Sequence, residues 1–174
     1  MSRRRNLLVS ITGWSGSGKT TFIETCIGRL ADMGYRVCAV KSTHMDLELD
    51  SPGKDSFRFR EAGASGVCLI TRGGTAVFYN EGEECFGRER LISLFPDADF
   101  ILAEGYHGEA DLRFEALKEG ASIESLKWPL CELDGILAGR NQLRDIPQPE
   151  GIGVFPPDDP DGFIRTLIRG SGRT

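Results

Sequence analysis

Gly13-Trp14-Ser15-Gly16-Ser17-Gly18-Lys19-Thr20 is the stretch that decides the fold. A glycine, four residues of any kind and then Gly-Lys-Thr is the pattern of a phosphate-binding loop. Its surroundings are the ones the pattern needs: Leu7-Leu8-Val9-Ser10-Ile11-Thr12 reads as a strand, and the residues after Thr20 carry helical periodicity. Gly13, Gly16 and Gly18 let the backbone curl around Ser15 and Ser17. Successive N–H groups then face inward as a nest for a β-phosphate at the positive end of a helix. Lys19 adds a point charge within reach of β- and γ-phosphate oxygens. The Thr20 hydroxyl is placed to be an inner ligand of a magnesium ion bridging those phosphates.

Working outward, Phe22, Ile23, Cys26, Ile27 and Leu30 share one helical face, and Gly34 stands where that helix would stop. Residues 35–40 read as a second strand that ends at Lys41, after a right-handed parallel crossover. Ligands in such sheets bind beyond the carboxyl ends of the strands, so Lys41 belongs to the same edge as Lys19. The long polar loop from Lys41 to Asp55 offers His44 and Asp46 to a magnesium shell or an attacking water, and Lys41 and Lys54 to anions. Leu47 and Leu49 alternate with acids there, which also allows a short edge strand.

A helix over 55–64 and a hairpin of residues 66–71 and 76–79 follow, with Arg72-Gly73-Gly74 as the turn; the hairpin is expected at an edge of the sheet. A short helix over 87–95 ends at Pro96. The buried-strand pattern of residues 98–103 then delivers Glu104 at its carboxyl end, with Gly105 after it. An acid there would hold magnesium through water or orient the attacking water, and the glycine lets backbone pass close to a γ-phosphate. Residues 112–117, 135–139 and 151–155 read as further strands, 161–169 as a closing helix, and 128–134 as ambiguous because Pro129 interrupts any helix. Asn141 and Asp158, just beyond two strand ends, are the candidates for reading a base, although no Asn/Thr-Lys-x-Asp guanine signature is present.

These elements predict an α/β chain: a three-layer P-loop NTPase fold with a mostly parallel sheet and an antiparallel edge hairpin, as one domain over residues 1–174. At 174 residues and 40% hydrophobic the chain can bury a full core, and no stretch has the length of a membrane span. The net charge of -5 argues against nucleic acid or anionic membrane as partners. Five cysteines without a CxxC pair point to reduced thiols in the cytoplasm, and Cys26 and Cys38 fall on core patterns. Arg3-Arg4-Arg5 reads as a solvated lead-in to the first strand, with contact to an anionic partner as the alternative, since a signal cleavage after the apolar run would destroy the loop.

With these residues assembled, the chain resembles the MobB family, the molybdopterin-guanine dinucleotide biosynthesis protein B. The resemblance rests on the phosphate loop, Val40-Lys41 with His44 and Asp46, Asp50-Ser51-Pro52-Gly53-Lys54-Asp55-Ser56, Arg58 with Glu61-Ala62-Gly63-Ala64, and Leu102-Ala103-Glu104-Gly105-Tyr106. It implies GTP with Mg2+ as ligands, a homodimer, and feeble hydrolysis. It also implies an adapter's role beside the molybdopterin guanylyltransferase, with molybdopterin or a molybdoenzyme acceptor as further partners. Carried over, Gly16, Gly18, Lys19, Thr20 and Thr21 would bind phosphate and metal, and Glu104 would serve the magnesium site. Two departures are visible: the family's histidine-rich patch is reduced to His44, and the lysine that often follows the glutamate, glycine and aromatic residue is His107. Position 14 is Trp, so the lysine with which a related branch reaches across its dimer is missing.

Two other classes share the loop. A small-molecule kinase needs an acceptor base and a basic lid, whereas Glu81-Gly82-Glu83-Glu84 is acidic where the lid would be. A scaffold for another metallocofactor needs metal-ligand spacing, which two histidines and scattered cysteines do not supply.

Overall fold

The computed structural model describes residues 6–45, 50–80, 82, 85–142 and 152–172. They divide into two compact units, one of residues 1–43 with 87–174 and one of residues 44–86. Arg3-Arg4-Arg5, Asp46, Leu47 and Leu49, and the acids Glu81, Glu83 and Glu84 lie outside the described residues.

The larger unit is built on six strands: β1 (Leu7–Gly13), β2 (Val37–Lys41), β5 (Phe100–Glu104), β6 (Leu112–Ala116), β7 (Gly135–Leu137) and β8 (Gly153–Phe155). Their order is β2-β5-β1-β6-β7-β8, and every neighbouring pair is parallel. β1 reads as an unbroken buried run because it lies in the middle of a sheet covered on both faces. Successive residues of a strand point to opposite faces. Leu137 accordingly joins the cluster formed with α1 (Lys19–Asp32) and α4 (Asp161–Gly170), while Ile136 joins the one under residues 117–134. On the helical side Phe163 meets Phe22 and Phe114 edge to face, at centroid distances of 4.9 and 4.7 Å, tying both helices to the sheet. The predicted face of α1 is the buried one: Phe22, Ile23, Cys26 and Leu30 are buried and Ile27 packs beside them. Residues 128–134 hold a single turn of 3-10 helix, Leu130–Glu132, directly after Pro129. A further short helix, α3 (Arg88–Leu94), buries Leu91.

In the smaller unit α2 (Asp55–Glu61) precedes β3 (Gly66–Thr71) and β4 (Gly74–Tyr79), which pair antiparallel from Gly66–Tyr79 to Thr71–Gly74. The expected hairpin is present, with a correction: it forms a two-stranded sheet of its own and does not extend the parallel sheet. The reason is visible in its side chains. Of the two strands only Val67 is buried, and a strand inside a parallel sheet needs apolar cover on both faces. Its loop is the two residues Arg72-Gly73. Thr71 Oγ1 accepts from the Gly73 and Gly74 amides at 3.2 and 3.1 Å and donates to the Gly74 carbonyl at 2.9 Å. Among the described residues no helix is long and apolar enough to cross a membrane.

Candidate functional site

β1 delivers the phosphate loop at its carboxyl end, and Gly18, in the left-handed region at φ 79°, is the N-cap of α1. The start of α1 has neither a side-chain cap nor an acid in its first turn, whereas α2, α3 and α4 carry Asp55, Glu89 and Asp161 in theirs. The N–H groups and positive end of the dipole at the loop are thus left for an anion from outside the helix. Gly13 is held for a different reason. A Cβ there would stand 2.4 Å from the Ala116 carbonyl oxygen, so β6 can lie against the loop only if position 13 is glycine.

The Lys19 ammonium is folded back onto this loop. It donates to the Gly13 carbonyl at 3.0 Å, the Trp14 carbonyl at 2.7 Å and Ser17 Oγ at 3.2 Å. Burial lowers its pKa; Glu104 opposes this, and the ammonium groups of Lys127 and Lys41 add to it. A phosphate placed among these groups would favour the charged form and offer stronger acceptors than the carbonyls.

Glu104 is the centre of the second half. The parallel register sets Lys41 and Ile11 on either side of it. Its Oε1 accepts from Lys41 Nζ at 2.7 Å and its Oε2 from Thr20 Oγ1 at 2.9 Å. Burial opposes ionisation of this carboxyl. The hydrogen bonds from Lys41 and Thr20, with the charges of Lys41 and Lys19, outweigh it and hold the carboxyl below the usual range. A hydroxyl and an ionised carboxylate 2.9 Å apart beside a phosphate nest are hard oxygen donors of the kind magnesium takes. Gly105, at φ 71°, serves the site indirectly: a Cβ would come within 2.6 Å of the Ser42 carbonyl, which crosses immediately beside it.

Beyond the loop opens a cleft of about 980 Å³. Gly16, Ser17 and Gly18 form its floor, residues 119–124 one wall, and residues 139–142 with Pro157 and Asp158 the other. Gln142 fixes the two walls together: its amide donates to the carbonyls of Lys118 and Ala121 at 2.9 and 2.8 Å and its oxygen accepts from the Gly139 amide at 3.2 Å. Asn141 and Asp158 both line the cleft, and Asp158 is engaged by Arg140 Nε at 3.0 Å. The space is enough for a nucleoside next to its phosphates.

A family model described as molybdopterin guanine dinucleotide synthesis protein B, MobB, matches residues 8–136. The chain belongs to the MobB family. The molybdopterin-guanine dinucleotide biosynthesis adapter protein of Escherichia coli K12 is 33% identical over 117 residues, which are 66% of this chain and 67% of that protein. The adapter protein of the same name from Haemophilus influenzae is 38% identical over 104 residues, 59% of this chain and 58% of its own. A crystal structure of Bacillus subtilis MobB superposes with a TM-score of 0.71 at 24% identity, covering 94% of this chain and 97% of that one, and shares the fold. MobB membership places the chain in molybdenum cofactor biosynthesis, on a nucleotide-binding fold.

Within the MobB match lie all the residues gathered at the loop: Gly13, Ser15, Gly16, Ser17, Gly18, Lys19, Thr20, Thr21, Lys41, Glu104 and Gly105. Asn141 and Asp158 fall beyond its end, so their place in the cleft rests on geometry alone. His44 and Lys54 belong to the smaller unit. His107 stacks on Trp128, with ring centroids 5.8 Å apart. Sequence reasoning missed three things. One is the wall of residues 119–124, which carries no periodic pattern. Another is Glu115, fully buried in β6, whose carboxylate accepts the Lys127 amide at 2.8 Å and the Trp128 amide at 3.0 Å. The third is Lys127 itself, for which no signal exists in the sequence; a lone acid inside the apolar run of residues 112–117 did mark Glu115.

Proposed function

We propose that this chain is a GTP-binding adapter in the formation of molybdopterin guanine dinucleotide, which presents nucleotide to the molybdopterin guanylyltransferase and hydrolyses it slowly. The observation that carries the reading is the convergence of Lys19, Thr20, Lys41 and Glu104 on one phosphate nest that opens into a nucleoside-sized cleft. Gly16, Ser17 and Gly18 would cradle the phosphates by their amides, and Lys19 would exchange its carbonyl partners for β- and γ-oxygens. Thr20 and Glu104 would hold Mg2+, which when bound neutralises charge on the phosphates. Asn141 and Asp158, which line the cleft, would read the base.

What surrounds the nest supports the reading of slow hydrolysis. Among the described residues Arg140 is the arginine that lines the cleft, and it is held by Asp158 at 3.0 Å and Asp159 at 3.4 Å and so is not presented to a γ-phosphate. An arginine finger is worth roughly a thousandfold or more in such reactions. A homodimer, and molybdopterin or a molybdoenzyme acceptor as further ligands, belong to the same reading, as does a cytoplasmic place of work.

The test is a calorimetric titration of the purified chain with GTP and with ATP, each with magnesium. GTP is expected to bind at least about tenfold more tightly, about 1.4 kcal/mol. Equal or tighter binding of ATP would overturn the adapter reading in favour of a small-molecule kinase.

A further inference from the structure

Trp14 is the second residue of the phosphate loop, and two ammonium groups meet on it. Lys19 Nζ takes its carbonyl oxygen at 2.7 Å, and Lys127 Nζ lies over its indole ring, 4.6 Å from the centroid. The indole is half exposed, and its Nε1 donates to the Ser125 carbonyl at 2.8 Å, so the loop is fastened to the segment that carries Lys127. That segment is fixed from the other side as well. The buried Glu115 carboxylate, in register with Thr12 of β1, accepts the Lys127 amide through both oxygens, at 2.8 and 3.1 Å. The Lys127 backbone is thus held, and among the described residues its ammonium has no carboxylate and no hydrogen-bond acceptor; the face of Trp14 is what it touches.

An ammonium on an indole face is held by about 0.5–1 kcal/mol when exposed, far less than a phosphate oxygen offers. Lys19, whose task in this loop pattern is to reach the β- and γ-phosphates, rests on the Gly13 and Trp14 carbonyls. The first residues of the loop therefore mark the terminal-phosphate end of the nest, and Lys127 stands over that end. Its charge is already felt there, since it helps to lower the pKa of Lys19. We propose that Lys127 is a γ-phosphate-binding residue supplied from the 119–128 segment, parked on Trp14 and transferred to the terminal phosphate of a bound nucleoside triphosphate. This rests on the reading of the chain as a nucleoside triphosphate binder. It adds a cation that the loop motif does not contain, and makes Trp14 its positioning residue.

The test titrates GTP and GDP, each with magnesium, into the wild type, Lys127→Met and Lys127→Arg. Methionine keeps an unbranched stem on the indole and removes the charge. Lys127→Met is expected to weaken GTP binding about tenfold and GDP binding less than about twofold, with an unchanged circular dichroism melt. Lys127→Arg is expected to stay within about threefold of the wild type for both. Equal weakening of GTP and GDP would reduce Lys127 to a packing role, and GTP affinity unchanged within twofold would remove it from the site; either overturns this proposal and leaves the nucleotide reading standing. A wild type that binds neither nucleotide would overturn both.

Discussion

Gly105→Ala puts a number on how tightly the nucleotide edge is assembled. The residue sits at φ 71°, where an L side chain is strained by roughly 1–2 kcal/mol. The added Cβ would lie 2.6 Å from the Ser42 carbonyl oxygen, about 0.8 Å short of ordinary contact. That oxygen cannot simply retreat, because the Ser42 amide donates to the Glu104 carbonyl at 2.8 Å and continues the pairing of β2 with β5. Overpacking of this kind costs about 1–3 kcal/mol, so the total is roughly 2–5 kcal/mol. For a chain of this size it is a fall in Tm of roughly 5–15 °C. Gly120→Ala is the control: at φ 75° it has the same backbone strain, but its Cβ would meet nothing within 4 Å. It is expected to cost only that strain, about 1–2 kcal/mol, or about 2–8 °C. Scanning calorimetry of the two variants isolates the carbonyl contact as the difference between them. Melting temperatures within about 2 °C of each other would show that Ser42 yields freely and that the reasoning is wrong. The same displacement drags Lys41 away from Glu104, so GTP affinity should fall in Gly105→Ala and not in a variant destabilised elsewhere.

Lys19→Ala should lose at least about a hundredfold in GTP affinity while its circular dichroism melt stays within a few degrees, because among the described residues Lys19 Nζ bonds only to its own loop. An unfolded variant would contradict that. Glu104→Gln should lower stability at neutral pH by less than about 1 kcal/mol, since Lys41 is largely exposed. The folded carboxyl lies below its unfolded value of about 4.3. Its contribution is therefore fully present above that value and is lost as pH falls through the lowered one. Urea titrations should show a shallower acid limb in the variant, and an identical limb would refute the assignment. The buried Cys26 thiol is pushed up to about 12 by burial, with Arg29 opposing, so iodoacetamide should label it only when the chain unfolds. Mass spectrometry finding it alkylated as fast as the exposed Cys131 would refute this.

What was legible in the sequence was what local rules govern. The face of α1, the glycine stop at Gly34, and an acid ending β5 next to a phosphate loop each follow from spacing within a few residues. The strand order does not. β5 lies between β1 and β2, and only long-range pairing puts Lys41 opposite Glu104. The hairpin was legible as a hairpin, but its independence from the large sheet depended on which of its faces found cover. The wall of residues 119–124 and Lys127 were invisible because irregular backbone held by Glu115, Gln142 and Trp14 leaves no periodicity to read.

The strand order also sets when a working loop first exists as the chain leaves the ribosome. β1 has as its neighbours β5 and β6, and β2 pairs with β5, so neither early strand finds a partner until residues 100–116 have emerged. The phosphate loop, though made well before β5 and β6, must wait through a large loop closure before any sheet fixes its shape. A nascent chain halted before β5 therefore offers nucleotide a glycine-rich coil, and the apolar run of Leu7–Gly13 remains available to chaperones until β5 and β6 have emerged.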